Sequence, residues 1–379
     1  MPLSLSPCPS PSDPAGLTAP TELTAPATPT VHPVHPVHPV HPVHPASVTP
    51  AGTAGHPGPP RPSGVAATLL LPLTELVPVM SAPCPMHPSV GLIGAELAAW
   101  AREVGLEPPP GAGFERMAGR AFCGFGMESA LLFAKWLTWL FHFDDEWDEK
   151  PAGRAAEIVE ATFARLDLVA RAPAHASSPV ELAFGDLWKV TTERMSTRWR
   201  HRFLAGLAAQ GAACRTEAEN RCAGRVPSPA EYPRLRRGTA GPYLFDLVEP
   251  CLGVEVPAGL RESTTWRTLV DACNDVTAWC NDVASHHKER ANGDVHNYVT
   301  VAATAFGLSD TAAVAWVNNR IAARAEDLRT SARRLPALFD RFGFSTGQAR
   351  DVSKVACAFL TAPRAQLEWL LESSRYDVP

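Results

Sequence analysis

The chain has 379 residues, a net charge of −5 and 45% hydrophobic residues. This charge balance excludes a strongly basic nucleic-acid-binding surface, and the length allows one large or two medium domains. The nine cysteines include no CxxC pair, which favours reduced thiols over a disulfide framework. The first ten residues lack a secretion signal, and the apolar residues 69–80 are too short to span a bilayer. We therefore expect a cytoplasmic protein that binds neither nucleic acid nor a membrane.

The first part of the chain is rich in proline, with about 23 of the 38 prolines before residue 89. It has no aromatic residue and few charges, so it cannot bury enough apolar surface to offset the entropy of ordering. We expect a disordered tail over residues 1–85 and one folded domain over residues 86–379. Residues 31–45 are five copies of Val-His-Pro, a period that matches a polyproline II helix. We interpret the repeat as a linker, with metal capture or docking to an unidentified partner as the alternative.

From residue 89 onward, apolar residues recur at helical spacing between short breaks at glycine or proline. The run over 117–143 is almost wholly apolar, as expected for a helix buried on several sides. The segment 231–248 is helical but interrupted by Gly238 and Gly241. No segment alternates with period two for long enough to predict a sheet, so the predicted fold class is all-α. The other helices are predicted at 90–104, 155–171, 179–206, 207–223, 265–290, 295–305, 309–334 and 346–373.

The long apolar run ends in a cluster of acidic residues that includes Asp144, Asp145 and Asp148. Their spacings of three and four residues place the carboxylates on overlapping faces of a helix, where like charges repel. A divalent cation reverses this repulsion. A solvent-facing helix end is the alternative, but acidic residues there oppose the helix macrodipole. We therefore predict a metal site at this cluster.

A second polar pattern lies on the otherwise apolar helix 265–290, where Asn281, Ser285 and Glu289 recur every four residues. Each such step turns a helix by about 400°, so the three oxygen-bearing side chains form one stripe. Buried polar groups need partners, and a hard divalent cation prefers oxygen ligands of this kind. Two such clusters beside one apolar cavity can hold several Mg²⁺ ions against a diphosphate, while the cavity encloses a hydrocarbon.

These motifs resemble those of the bacterial class I terpene synthases. Residues 144–148 match the aspartate-rich DDxxD motif, and residues 281–289 match NDxxSxxKE at every specified position. Residues 236–241 resemble the family's diphosphate-sensor segment, and Arg375-Tyr376 resembles its terminal Arg-Tyr pair. The resemblance covers the whole predicted domain and implies a single-domain class I terpenoid synthase bundle around a central apolar cavity.

The resemblance also implies a role for each residue of the motifs. Three Mg²⁺ ions are expected, and their ligands would be Asp144, Asp145, Asp148, Asn281, Ser285 and Glu289. The groups that sense or bind the diphosphate would be Arg237, Lys288, Arg375 and Tyr376.

Two further residues complete the expected site. Gly241 would be the effector whose carbonyl faces the nascent allyl cation, and a glycine allows close approach of the backbone. Ala240, between sensor and effector, departs from the family pattern because its side chain cannot bond Arg237. Phe141 lies one turn before Asp144 and is the best candidate for an aromatic ring that stabilises carbocations.

The activity implied by the resemblance is that of a carbon–oxygen lyase acting on phosphates. It would ionise a linear isoprenyl diphosphate, cyclise the carbocation and end by proton loss or water capture. Farnesyl diphosphate is favoured, with geranylgeranyl diphosphate, or geranyl or methylgeranyl diphosphate as in methylisoborneol-type synthases, as alternatives. A chain-elongating prenyltransferase shares the first motif but carries a second aspartate-rich motif in place of Asn281, Ser285 and Glu289. A non-catalytic protein acting through its tail is a remoter alternative. The sequence does not determine the oligomeric state, and a homodimer is possible.

Overall fold

The computed structural model describes residues 69–70, 73, 77–148 and 156–373, without the side chains of residues 79 and 146–148. The chain divides into two units, and all of these residues belong to the second, 59–379. Within them every regular element is a helix, which confirms the all-α prediction. The α-helices are α1 Pro78–Ser81, α2 Val90–Val104, α3 Phe114–Ala121, α4 Met127–Asp148, α5 Ala156–Arg171, α6 Pro179–Thr192, α7 Thr197–Ala223, α8 Tyr232–Thr239, α9 Tyr243–Asp246, α10 Val248–Leu252, α11 Ala258–Arg261, α12 Thr264–Ala291, α13 Tyr298–Phe306, α14 Asp310–Arg341 and α15 Thr346–Glu372.

Serine residues set the start of the longer helices. Each capping hydroxyl accepts a hydrogen bond from the backbone N–H three residues later, which satisfies one of the free N–H groups at a helix start. Glycines in the left-handed region end α2, α7 and α13. The capping serines are Ser178, Ser196, Ser263, Ser309 and Ser345.

The apolar run 117–143 is not one helix, so that prediction is wrong. Residues 122–126 separate α3 from α4, and Gly124 and Gly126 lie in this break with open space beside them. A glycine inside a helix costs about 1 kcal/mol relative to alanine, so two of them favour the break. The break also leaves Phe122 buried in the core.

The predicted boundary between residues 206 and 207 is also wrong. The preceding helix ends at Thr192, and α7 runs without interruption from its cap at Ser196 to Ala223. Gly206 therefore lies inside a helix. A side chain there would contact the Tyr243 Cβ atom at 3.4 Å, so the glycine permits close packing between α7 and α9.

The long helix α12 has more buried residues than any other described helix, and it packs against α13, α14 and α15. Its apolar residues Ala272, Val276, Trp279 and Val283 are almost completely buried. Burying side chains of this size contributes most of the free energy that stabilises such a bundle. The predicted polar stripe therefore lies on a helix that is surrounded by the core on most sides.

Four apolar side chains that precede residue 86 belong to the same core. Leu70, Leu73, Val77 and Met80 are each at most 3% exposed. The amide Nδ2 of Asn318 on α14 donates to the carbonyl oxygen of Leu69 at 3.1 Å. The division between tail and domain at residue 85 stays a prediction, and the Val-His-Pro repeat at 31–45 lies outside the described residues.

No single helix of the described chain is long and apolar enough to cross a membrane. The pair α13 and α14 passes the same length and composition test only when both are taken together, across a bend of 116°. No disulfide bond joins the cysteines within the described residues.

Candidate active site

An apolar cavity lies where α4, α8, α12 and α15 meet. Its volume is about 140 Å³. Most of its wall is hydrocarbon, from side chains such as Leu137, Leu140, Leu244, Val248 and Phe359. Such a pocket suits a hydrophobic ligand and requires few polar contacts.

The two predicted metal motifs contribute to the same cavity. Asp144 lies at the end of α4 and Asn281 lies on α12, and both side chains line the cavity. Asp145 is half-buried, and the side chain of Asp148 lies outside the described part of the structure. Residues 137 positions apart in sequence therefore present oxygen atoms to one apolar space. This arrangement fits a hard divalent cation, which takes carboxylate and amide oxygens as ligands.

The rest of the stripe is held by hydrogen bonds along α12 and to α13. The Ser285 hydroxyl donates to the Asn281 carbonyl oxygen at 2.8 Å. Glu289 accepts a hydrogen bond from the Asn297 Nδ2 atom at 2.9 Å. Burial, and next the negative charge of Asp282, raise the pKa of the Glu289 carboxyl to about 7. A bound cation would lower this pKa again, because its positive charge favours the charged carboxylate.

No group of three His, Cys, Asp or Glu side chains with metal-ligand geometry occurs among the residues that the structure describes. The first predicted cluster could not be counted, because the side chain of Asp148 lies outside the described residues. The second contains Asn281 and Ser285, which are not residues of these four types. Two of the predicted ligands line the cavity, the Asp144 carboxylate and the Asn281 amide, and both are oxygen donors of the kind that a divalent cation takes. Ser285 and Glu289 are not part of this lining.

Asp282 is a buried junction that the sequence did not single out. Its carboxylate is 1% exposed and accepts hydrogen bonds from the Tyr232 hydroxyl at 2.9 Å and the Tyr298 backbone N–H at 3.2 Å. The Nε atom of Arg236 adds a third bond at 2.8 Å. These contacts tie α8 and α13 to the segment of α12 that carries Asn281.

The two adjacent arginines of the predicted sensor segment point to different partners. Arg236 lines the cavity, and its Nη2 atom donates to the Asn281 Oδ1 atom at 3.0 Å. Arg237 instead donates from Nε to Asp275 at 2.7 Å and from Nη1 to Asp271 at 3.2 Å. Neighbouring residues on a helix are about 100° apart, so sequence spacing alone cannot assign these directions.

Gly241 lies in the break between α8 and α9, at φ +75°. An L-residue with a side chain rarely adopts this conformation, which explains the glycine. Its carbonyl oxygen, the predicted effector, accepts a hydrogen bond from the Leu244 N–H at 2.9 Å. The neighbouring Ala240 lines the cavity.

Phe141 lines the cavity and belongs to a cluster of three aromatic rings. Its ring stacks on Phe114 with a centroid distance of 4.8 Å and lies 5.2 Å from Trp369. Trp369 is fixed by a hydrogen bond from Nε1 to the Ala112 carbonyl oxygen at 2.6 Å. Phe141 therefore lies at the cavity wall, one turn before Asp144, and its contact with a substrate stays a prediction.

Lys288, another predicted diphosphate-binding residue, is not part of this lining. Lys288 is partly buried near the end of α12. Arg375 and Tyr376 follow the described residues. The last turn before them is held by Glu372, whose carboxylate accepts hydrogen bonds from Arg116 at 2.8 Å and from Arg120.

The fold and the cavity define the architecture of a class I terpene synthase, and comparison with known proteins agrees. The family model for terpene synthase family 2, C-terminal metal binding, matches residues 135–327. A (−)-delta-cadinene synthase from Streptomyces clavuligerus is 33% identical over 248 residues, which cover 65% of this chain and 75% of that relative. A (+)-T-muurolol synthase from Roseiflexus castenholzii is 33% identical over 189 residues, 49% of this chain and 58% of that relative.

Solved structures show the same fold. The crystal structure of germacradien-4-ol synthase from Streptomyces citricolor superposes with a TM-score of 0.67 at 25% identity. The match covers 76% of this chain and 95% of that structure. The chain belongs to the bacterial class I terpene synthases, lyases that cyclise isoprenyl diphosphates with the help of divalent metal ions.

Proposed function

We propose that the protein ionises farnesyl diphosphate with three Mg²⁺ ions and cyclises the resulting carbocation. The observation that carries this proposal is the position of Asp144 and Asn281 on the wall of one apolar cavity. The full name of the T-muurolol synthase relative includes (2E,6E)-farnesyl diphosphate cyclizing, which supports the choice of a C15 substrate.

The proposed roles follow from charge and position. The metal ions would neutralise the diphosphate as it leaves. Asp144, with Asp145 and Asp148, would hold some of the ions, and Asn281, Ser285 and Glu289 would hold another. The apolar wall excludes water, and charge interactions with the diphosphate are stronger where water is excluded.

Arg236 enters the proposal as a positioning residue. Its guanidinium binds both the Asn281 Oδ1 atom and the Asp282 carboxylate, so it fixes the orientation of the amide that faces the cavity. Arg237 keeps the sensor role that the sequence predicts. Lys288, Arg375 and Tyr376 keep their predicted contacts to the diphosphate, and the Phe141 ring would face the carbocation.

The test is to incubate the purified protein with C10, C15 and C20 isoprenyl diphosphates and Mg²⁺, and to examine volatile products by gas chromatography and mass spectrometry. We expect a cyclic C15 product that disappears when EDTA removes the metal. A clear preference for the C10 or C20 diphosphate would replace the substrate with the corresponding alternative. The absence of any cyclic product from all three would contradict the proposed function.

A further inference from the structure

The wall of the cavity contains an amide oxygen without a hydrogen-bond partner. Asn274 lies on α12, is 4% exposed and lines the cavity. Its Nδ2 atom donates to the Arg237 carbonyl oxygen at 3.3 Å, which fixes the orientation of the amide. Its Oδ1 atom is buried and accepts no hydrogen bond from the residues that the structure describes. An unsatisfied buried acceptor is costly, so this position calls for a ligand that donates a hydrogen bond.

Thr277, one turn further along α12, presents a second acceptor to the same cavity. Its hydroxyl hydrogen is directed at the carbonyl oxygens of Cys273 at 3.0 Å and Asn274 at 2.9 Å. Because that hydrogen is used within the helix, the Thr277 oxygen offers only lone pairs to the cavity. Residues three apart on a helix lie on one face, so the two acceptor oxygens are neighbours.

These oxygens are separate from the metal site. Asn274 precedes Asn281 by seven residues, which is about 10 Å along a helix at 1.5 Å per residue. The surrounding wall includes Ala278, Val248 and Phe359, which cannot form hydrogen bonds through their side chains. A small polar molecule at Asn274 would therefore lie beside the hydrocarbon part of a substrate and away from its diphosphate.

We propose that Asn274 and Thr277 bind one water molecule, and that this water captures the final carbocation to give a terpene alcohol. The inference rests on the proposed function and adds the class of its product. A water with two acceptors donates both of its hydrogens, so its lone pairs face the cavity. A carbocation there meets a nucleophile in the orientation needed for attack.

The step balances in atoms and charge. The water oxygen donates an electron pair to the cationic carbon, and a C–O bond forms to give a protonated alcohol. That oxonium loses one proton, which passes to the diphosphate released at ionisation. The net reaction consumes the isoprenyl diphosphate and one water, and it yields the alcohol and diphosphate. Asn274 and Thr277 orient the water and are not consumed.

The experiment uses the full-length protein with farnesyl diphosphate and Mg²⁺ in water enriched in ¹⁸O. We expect the main wild-type product to be a C15 alcohol that carries the heavy isotope. Asn274→Leu should lower the ratio of alcohol to hydrocarbon by about tenfold or more, because it replaces the acceptor with an apolar side chain of similar size. Thr277→Val should also lower the ratio of alcohol to hydrocarbon.

Thr216→Val is the matched control, because the Thr216 hydroxyl also donates to a carbonyl of its own helix but lies at the exposed surface. This variant should keep the wild-type product ratio. Unlabelled hydrocarbon as the main wild-type product would overturn the proposal, as would an unchanged ratio in Thr277→Val. Failure of the wild-type protein to convert any C10, C15 or C20 diphosphate would instead contradict the proposed function itself.

Discussion

Arg236 joins the core of the bundle to the amide that faces the cavity. Its side chain is 17% exposed, and its partners Asn281 and Asp282 lie on α12. Arg237 is 31% exposed and shares Asp275 with Arg324, whose Nε atom lies 2.7 Å from the Asp275 Oδ2 atom. A guanidinium supplies several N–H donors in one plane, which lysine cannot replace. The two arginines therefore perform different tasks, and matched substitutions should separate them.

Arg236→Lys should weaken Mg²⁺ affinity, because the Asn281 amide loses the donor that orients it. Arg237→Lys should leave Mg²⁺ affinity near the wild-type value but lower turnover by about tenfold or more, as expected for loss of a bidentate phosphate contact. Initial rates of diphosphate release over a range of Mg²⁺ concentrations measure both quantities. An unchanged rate in Arg237→Lys would remove it from the sensor role, and unchanged metal affinity in Arg236→Lys would remove the positioning role.

The raised pKa of Glu289 predicts that metal binding depends on pH. Its carboxyl has a pKa of about 7 because it is buried beside Asp282. A cation binds the carboxylate form, so binding at lower pH must expel a proton. We expect Mg²⁺ affinity to rise as the pH increases through 7 and to level off above it. Calorimetry in two buffers at pH 7 should detect release of about half a proton from this group. In Glu289→Gln this release should be absent, and its persistence would contradict the assignment.

The close approach of helix α8 to helix α7 depends on Gly238. A Cβ atom there would lie 2.7 Å from the Ala213 Cβ atom, well inside normal contact. The helix that carries Arg236 and Arg237 would have to move away from α7 to accept a side chain.

Gly238→Ala should therefore lower the free energy of unfolding by about 1–3 kcal/mol, the usual cost of overpacking. It should also reduce turnover, because α8 positions Arg236 against Asn281. Gly91→Ala is the control, because Gly91 is in α2 and a Cβ atom added there would meet no other atom within 4 Å. This control variant should be neutral or slightly stabilising. Chemical denaturation and rate measurements on the same preparations test this, and equal stability of the two variants would contradict it.

The existence of the helices was predictable from apolar periodicity, but several boundaries were not. The limits of α2 at Val90 and Val104 were predicted, because the last helical residue precedes Gly105 in a left-handed cap. The break at residues 122–126 was missed, because an apolar sequence gives no period that distinguishes one helix from two. Gly206 was predicted to be a break, although packing against Tyr243 keeps it helical. Tertiary contacts decided these cases.

For the whole molecule, the sequence identified which motifs meet but not how their side chains are supported. Asp144 and Asn281 were expected at one cavity because each oxygen cluster lies on an apolar helix. The partners of Arg236, and the unpartnered oxygen of Asn274, depend on side-chain directions between two helices, α8 and α12. Residue spacing predicts which side chains share one face of a helix, but it does not predict which side chains of another helix they contact. The predicted roles of Arg375 and Tyr376 concern residues beyond the described part of the chain.

The buried segment before residue 86 predicts where a truncation is tolerated. Deleting residues 1–58 should retain the fold and the activity. Deleting residues 1–80 should destabilise the protein, because Leu70, Leu73, Val77 and Met80 leave the core, and a fully buried side chain of this type contributes about 1.5 kcal/mol or more. Thermal unfolding and cyclisation rates of both truncations are the measurements. If the protein without residues 1–58 folds normally but is inactive, this result would instead support a functional tail.

The ionisation site itself is tested most directly by diphosphate release from farnesyl diphosphate, with Asp144→Ala and Asn281→Ala compared with wild type. Each variant should lose Mg²⁺-dependent release by about a hundredfold or more, because each removes an oxygen that faces the cavity. The exposed substitutions Asp340→Ala and Asn319→Ala should retain the wild-type rate. Wild-type release by either Asp144→Ala or Asn281→Ala, in a folded protein, would contradict the central claim that these two residues bring the metal ions to one cavity.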